Sequence, residues 1–200
     1  MVELAPGDLL GFSGNDLVSH VVNLGSLGLP YRGISHVGIV SEWASKLVLF
    51  ESTTFQSKPC LIKGKIIAGV QANRIEDRLA GRVWLYKLKR PLTLSDRIKL
   101  RDFLLTYVGK SYDTLGAFQS GGKLFSLIQK LKFQENLHTI FCSELCAAAL
   151  REVDRLETES ASYWSPNKLL RYLVANQIVE EPVRYENRFS PPALDESVSY

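Results

Sequence analysis

Segments typical of β-strands crowd into the first half of this chain, and helical patterns dominate the second half. Runs rich in β-branched and apolar residues predict strands at residues 8–12, 34–41, 46–53, 66–75 and 82–88. Apolar spacing and capping residues predict helices at residues 15–24, 95–108, 122–133 and 166–175. Strands followed mostly by helices favour an α+β domain in which a sheet packs on helices.

The size and charge of the chain narrow the classes of protein it can be. Its 200 residues, 46% hydrophobic and 22% charged, suit one globular domain, which we place at residues 1–180 with a polar extended tail at 181–200. A net charge of +3, with no basic run interleaved with aromatics, argues against nucleic-acid binding. No apolar stretch is long enough for a transmembrane segment. The oligomeric state stays open.

The first residues carry neither a basic region nor an apolar region of the kind found in secretory signals. The default expectation is therefore a cytoplasmic protein, although a delivered effector and a phage or viral protein fit equally well. The three cysteines, Cys60, Cys142 and Cys146, show no framework spacing, so we expect free thiols in a reducing compartment.

Of the three cysteines, Cys142 is the one whose predicted surroundings favour a reactive thiolate. Residues 139–141 predict a short strand-like lead-in, and the apolar spacing after them predicts a helix that begins at Cys142. A thiol in the first turn lies among free backbone N–H groups at the positive end of the helix dipole, which favours the nucleophilic thiolate. Cys146 lies on the apolar stripe of the same helix and is expected in the core, and Cys60 follows Pro59 in a loop.

A candidate base lies on a predicted hairpin. If residues 42–45 form a four-residue loop, His36 lies directly opposite Glu51, and opposed side chains of an antiparallel pair share a face. A carboxylate in that position accepts the imidazole N–H and stabilises the imidazolium. The hairpin thus supplies a base and the acid that orients it, and the helix supplies a sulfur nucleophile.

The order of these residues resembles a known family. The matching stretches are Gly7-Asp8-Leu9-Leu10, Ser35-His36-Val37-Gly38-Ile39-Val40, Leu49-Phe50-Glu51-Ser52, Gly109-Lys110-Ser111-Tyr112-Asp113, Phe141-Cys142-Ser143-Glu144-Leu145 and Ser165-Pro166. Together they resemble the circularly permuted NlpC-type, papain-like cysteine hydrolases, in the YiiX-like branch that also has poxviral members. In unpermuted relatives the cysteine helix precedes the histidine strand, whereas here it follows.

The resemblance implies a circularly permuted papain-like fold and a catalytic triad. In it Cys142 is the nucleophile, His36 the general base and then acid, and Glu51 the third member. The Cys142 N–H and Ser143 would help to hold the oxyanion, and Tyr112 would assist the oxyanion or line the pocket. The long separation of Tyr112 from Cys142 leaves room for an inserted helical lobe at about residues 114–138. No metal or cofactor is implied.

Several readings of the function stay open. The leading one is a peptidase or amidase that forms an acyl-enzyme on peptidoglycan-type peptides. A second is a lipid-directed thioesterase, phospholipase or acyltransferase, because lecithin retinol acyltransferase is a permuted relative. A third is a non-catalytic binding or structural module that kept the fold, with Cys142 a buried core residue. His138 is a reserve base, and a zinc site of Cys142, Cys146 and a histidine has poor ligand spacing.

Overall fold

A computed structural model describes residues 3–13, 33–53, 58–79, 81–110, 134–157 and 164–185, with no side-chain description for 134–141. The strands are β1 (Leu9–Ser13), β2 (His36–Trp43), β3 (Lys46–Thr53), β4 (Gly69–Asn73), β5 (Arg82–Tyr86) and β6 (Val183–Arg184). The helices are α1 (Leu94–Tyr107), α2 (Gln134–Glu152) and α3 (Pro166–Ala175), with a 3₁₀ turn at Glu76–Arg78. The predicted α+β class is confirmed.

The six strands form one sheet in the order β4-β3-β2-β1-β5-β6, and every neighbouring pair is antiparallel. The short strand β1 lies inside the sheet because it pairs with both β2 and β5. Alternate residues of the strands enter two separate apolar clusters, as the two-residue period of a strand requires. The larger cluster contains buried apolar residues from all three helices, and α2 packs against β2 and β3.

The hairpin between β2 and β3 is tighter than predicted. Ala44 and Ser45 form a two-residue turn, both with positive φ, and Trp43 pairs with Lys46. Paired residue numbers therefore sum to 89 rather than the expected 87, and Val40 pairs with Leu49. The predicted direct pairing of His36 with Glu51 is wrong by two residues. Because side chains alternate between faces with a period of two, both residues still belong to the same face.

Helix α1 begins slightly earlier than its sequence pattern indicated. Thr93, not Ser95, is the N-cap: its hydroxyl accepts from the Asp96 N–H, and the Asp96 carboxylate accepts from the Thr93 N–H. This reciprocal capping box satisfies two donors that the first turn would otherwise leave unpaired. The helix then packs against α2, with Leu100 and Leu104 fully buried.

Helix α2 corrects the most important local prediction. It begins at Gln134, about two turns before Cys142, so the expected lead-in at residues 139–141 is helical and Cys142 lies in the interior of the helix. Residues 134–138 of the expected lobe belong to this helix, and residues 114–133 lie outside the described residues. Packing of α2 on β2 and β3 overrides the strand preference of Thr139, Ile140 and Phe141.

Helix α3 follows its sequence signals closely. Ser165 is the N-cap and accepts from the Lys168 N–H, while Pro166 occupies the first turn, where no N–H is needed. The predicted helices at 15–24 and 122–133 lie outside the described residues. The expected tail begins with β6, which pairs with β5, and residues 186–200 are not described. None of the described helices combines the length and apolar character needed to cross a bilayer.

Candidate active site

Three elements bring the predicted triad together. His36 is the first residue of β2, Glu51 lies near the end of β3, and Cys142 lies on α2, the helix that packs on those two strands. The His36 Nε2–H donates to Glu51 Oε2 at 2.6 Å, and the imidazole also hydrogen-bonds the Cys142 side chain. Since Nε2 contacts Glu51, Nδ1 is the ring nitrogen left to take the thiol proton.

Glu51 is held by more than the histidine. Its side chain is fully buried, yet Asn73 Nδ2 donates to Oε1 at 2.7 Å and Arg78 Nη2 donates to Oε2 at 3.0 Å. Arg78 Nε lies 2.7 Å from Oε1, so the guanidinium meets both carboxylate oxygens. Burial alone would raise the pKa of Glu51, but His36 and Arg78 outweigh it and hold that pKa below its usual value. Glu51 is therefore a carboxylate at neutral pH.

The pKa of His36 is shifted by its contacts with Cys142 and Glu51. Burial of the ring disfavours the imidazolium, but the negative charge of Cys142 and hydrogen bonds with Cys142 and Glu51 prevail and raise the pKa of His36 to about 10. Phe12 lies against the imidazole, with ring centroids 5.6 Å apart. His36 is therefore a cation that contacts the Cys142 side chain and is fixed by an ionised acid.

The two sulfurs of α2 have different surroundings. Burial, followed by the nearby negative charges of Cys142 and Glu51, raises the pKa of Cys146 well above its usual value, so Cys146 stays a thiol. Both cysteines are 0% exposed and belong to the main core cluster. Only Cys142 hydrogen-bonds the His36 imidazole. Cys146 lies in the core, as expected, and Cys60 is also a buried free thiol.

The interior position of Cys142 removes one physical argument made from the sequence. Within an α-helix each N–H donates to the carbonyl four residues earlier, so the Cys142 N–H is not one of the free groups of a helix N-terminus. The expected effect of the helix dipole on the sulfur, and the expected N–H donor to an oxyanion, are both wrong. The positive charge near the sulfur comes instead from His36.

Other predicted site residues are placed less directly. Ser143 is fully buried, and its hydroxyl donates to the Trp164 carbonyl, which ties α2 to the residue that precedes the cap of α3. Tyr112 lies outside the described residues. The reserve base, His138, lies on α2 one turn before Cys142, and its side chain is outside the described part. His36 is the base that the described contacts bring to the sulfur.

The three predicted triad residues differ in exposure. The His36 side chain is 18% exposed, whereas Cys142 and Glu51 are 0% exposed.

Asn73 and Arg78 are the site residues that sequence reasoning missed. Asn73 ends β4, two residues beyond Gln71, the β4 partner of Glu51. Arg78 ends the 3₁₀ turn that follows β4, and its guanidinium also lies 5.5 Å from the centre of the Phe12 ring. A polar residue at the end of a strand next to a buried acid was the available signal. It becomes visible only once the β3–β4 pairing is known.

Comparisons with known proteins identify the fold. No family model and no curated protein matches the sequence. Among solved structures, a metalloprotein called YiiX from Escherichia coli O157:H7 matches with a TM-score of 0.50 and 16% sequence identity. The match covers 90% of this chain and 88% of that one. The chain has a YiiX-like fold.

YiiX is described as a metalloprotein. Among the residues that the structure of this chain describes, no group of three or more His, Cys, Asp or Glu side chains is arranged to hold a metal ion. The carboxylate oxygens of Glu51 accept hydrogen bonds from His36, Asn73 and Arg78.

Proposed function

We propose that the protein is a cysteine hydrolase that cleaves acyl or amide bonds through Cys142, His36 and Glu51. The observation that carries the proposal is the continuous contact from sulfur to imidazole to buried carboxylate. His36 hydrogen-bonds Cys142 on one side and lies 2.6 Å from Glu51 on the other. A nucleophile, a base and an acid that orients the base are the arrangement that thiol catalysis requires.

Each residue has one role in the proposed reaction. His36 takes the thiol proton, and the Cys142 thiolate attacks the carbonyl carbon of the substrate. The imidazolium then gives the proton to the leaving group as the carbon–nitrogen or carbon–oxygen bond breaks. Water then attacks the thioester with His36 as base, the carbon–sulfur bond breaks, the proton held by His36 returns to the sulfur, and the carboxylic acid product leaves. Glu51 keeps one ring tautomer and stabilises the imidazolium while it exists.

Peptidoglycan-type peptides are the first substrate class to test, on the strength of the family resemblance and the fold. Lipid acyl esters are the alternative within the same chemistry. Purified protein would be assayed against stem-peptide fragments, followed by mass spectrometry, and against a fluorescent acyl ester. Cleavage of one class and not the other decides between them.

The decisive variant is Cys142→Ala, with Cys146→Ala as its matched control one turn along the same helix. We expect Cys142→Ala to abolish turnover, and Cys146→Ala to keep turnover while the small cavity it leaves lowers the melting temperature. Iodoacetamide labelling at neutral pH, read by peptide mass spectrometry, should modify Cys142 faster than Cys146 or Cys60. Equal, slow labelling of all three would instead favour a non-catalytic module.

A further inference from the structure

We infer that Arg78 is a positioning residue that holds Glu51 as a fixed anion while His36 gains and loses its proton. This inference rests on the proposed function and adds a residue to it. Arg78 does not touch the sulfur in any described contact, and its contact with the site is through the Glu51 carboxylate. Its part is to keep the orienting acid ionised and in place.

Both oxygens of Glu51 accept hydrogen bonds from side chains, and Arg78 Nε adds an ion-pair contact that is not a hydrogen bond. Oε1 meets Asn73 Nδ2 and Arg78 Nε, each at 2.7 Å, and Oε2 meets His36 Nε2 at 2.6 Å and Arg78 Nη2 at 3.0 Å. The guanidinium donates one hydrogen bond to Oε2 and keeps a second charged nitrogen against Oε1, so it limits the movement of the carboxylate. The direction in which Glu51 accepts from His36 is thus set by Arg78 and Asn73.

The catalytic cycle explains why a permanent cation is needed. Glu51 is 0% exposed, and a buried carboxylate without a cationic partner is strongly disfavoured. In the proposed reaction His36 is a cation only while it holds the proton, so its support of Glu51 comes and goes. Arg78 keeps its charge throughout. It prevents Glu51 from taking the proton that His36 must deliver to the leaving group.

The chain also fixes Arg78 itself. The Arg78 N–H donates to the Ile75 carbonyl at 2.9 Å, and Ile75 is buried in the smaller apolar cluster. Asp77, in the same 3₁₀ turn, pairs with Lys58. The Arg78 side chain is only 26% exposed and crosses the Phe12 ring that lies against His36. Arg78 is therefore held in place by its surroundings.

The test compares Arg78→Gln and Arg78→Lys with Arg97→Gln. Arg97 is the matched control because it also pairs with a glutamate, Glu42, at 2.5 Å, but both side chains are about one-third exposed. We expect Arg78→Gln to lower kcat roughly 10- to 100-fold with little change in KM, the range found for partners that orient metal-bound histidines. Arg78→Lys should keep part of the activity, and Arg97→Gln nearly all of it.

Two further measurements separate positioning from a merely structural role. In a Glu51→Gln background, Arg78→Gln should cause little additional loss, because its target carboxylate is already gone. Guanidinium at millimolar concentration should partly restore Arg78→Ala. Additive losses, or an Arg78→Gln variant that folds and keeps full kcat, would overturn the inference.

A readout without substrate keeps the two proposals distinguishable. The His36 Nε2 proton in its short hydrogen bond should give a downfield NMR signal that Arg78→Gln shifts or broadens and Arg97→Gln leaves in place. If Cys142→Ala turns over as well as the wild type, the proposed function fails, and this signal still reports whether Arg78 sets the His36–Glu51 bond. An unchanged signal in a folded Arg78→Gln variant counts against Arg78 alone.

Discussion

Two buried carboxylates, Asp8 and Glu51, are held in different ways, Asp8 by backbone N–H groups and Glu51 by charged and polar side chains. Asp8 is 1% exposed and accepts from two backbone N–H groups, those of Ala5 at 2.8 Å and Leu88 at 3.0 Å. Glu51 is 0% exposed and accepts from the side chains of His36, Asn73 and Arg78. A backbone N–H carries no net charge and does not titrate, whereas a histidine side chain titrates and is charged when it is protonated.

Their pKa values move in opposite directions for this reason. Burial raises the pKa of Asp8, because the two backbone hydrogen bonds compensate only in part. Burial would also raise the pKa of Glu51, but His36 and Arg78 lower it. The ionisation of an acid whose pKa is lowered by a histidine depends on whether that histidine is protonated. Perturbed pKa values of this kind are concentrated at functional sites. Asp8 instead joins the chain before β1 to the residues after β5.

The largest expected effect is a difference in kcat between variants of Glu51 and of Asp8. Glu51→Gln keeps the shape of the side chain but removes its charge, so the imidazolium loses its counter-charge, and we expect kcat to fall about 100-fold or more. Asp8→Asn makes the same chemical change away from the sulfur and should leave kcat unchanged. Steady-state kinetics on the substrate found for the wild type would check both. A large loss in folded Asp8→Asn would break the comparison.

Stability should show the reverse order. Both partners of Asp8 are fixed N–H donors, so the amide group of Asp8→Asn turns one donor toward another. We expect it to lower the free energy of unfolding by about 1–3 kcal/mol. Glu51→Gln should lower it less, because His36, unlike a backbone N–H, can change tautomer and accept from the new amide group. Urea denaturation at neutral pH measures both, and equal losses would contradict the prediction.

The dependence of stability on acid gives the smallest and most specific contrast. The pKa of Glu51 is lowered from 4.5, so its contribution to folding is present above that value and is lost as the pH falls through the lowered pKa. The pKa of Asp8 is raised from 3.8, so its contribution is full below that value and is lost as the pH rises through the raised pKa. The loss of stability in acid should therefore be shallower in Glu51→Gln and steeper in Asp8→Asn than in the wild type.

A series of urea denaturation curves from neutral to acidic pH would check those slopes. The steepness with which the wild type loses stability in acid should lie between the values for the two variants. Parallel curves for all three proteins would show that neither carboxylate titrates differently in the folded and unfolded chains.

A structural feature could be predicted from the sequence when residues close to it in the chain determine it. Helix α3 begins where Ser165 and Pro166 place it, because a cap and a first-turn proline act within a few residues. The hairpin turn was missed because Ala44 and Ser45 adopt positive φ without glycine or asparagine, the residues that normally signal such turns. The shared face of His36 and Glu51 survived the error, since the shift was an even number of residues.

The start of α2 and the contacts of Glu51 have distant causes. Three consecutive residues with strand preference, 139–141, are helical because α2 packs on the sheet, and no local pattern reports that packing. Arg78 lies 27 positions from Glu51 in the chain and reaches it only after β4 pairs with β3. The contacts of His36 with Cys142 and Glu51 were predictable from residue types and order, whereas the side chains that hold Glu51 required the fold.

The two-residue turn at Ala44 and Ser45 has a practical consequence. Both residues are exposed, and the turn lies at the opposite end of β2 from His36, about 23 Å away at the usual rise per strand residue. A fluorophore or an affinity tag attached there would follow the protein without touching His36 at the other end of the strand. Its linker should be generous, because splicing residues directly into so short a connection would disturb the pairing of both strands.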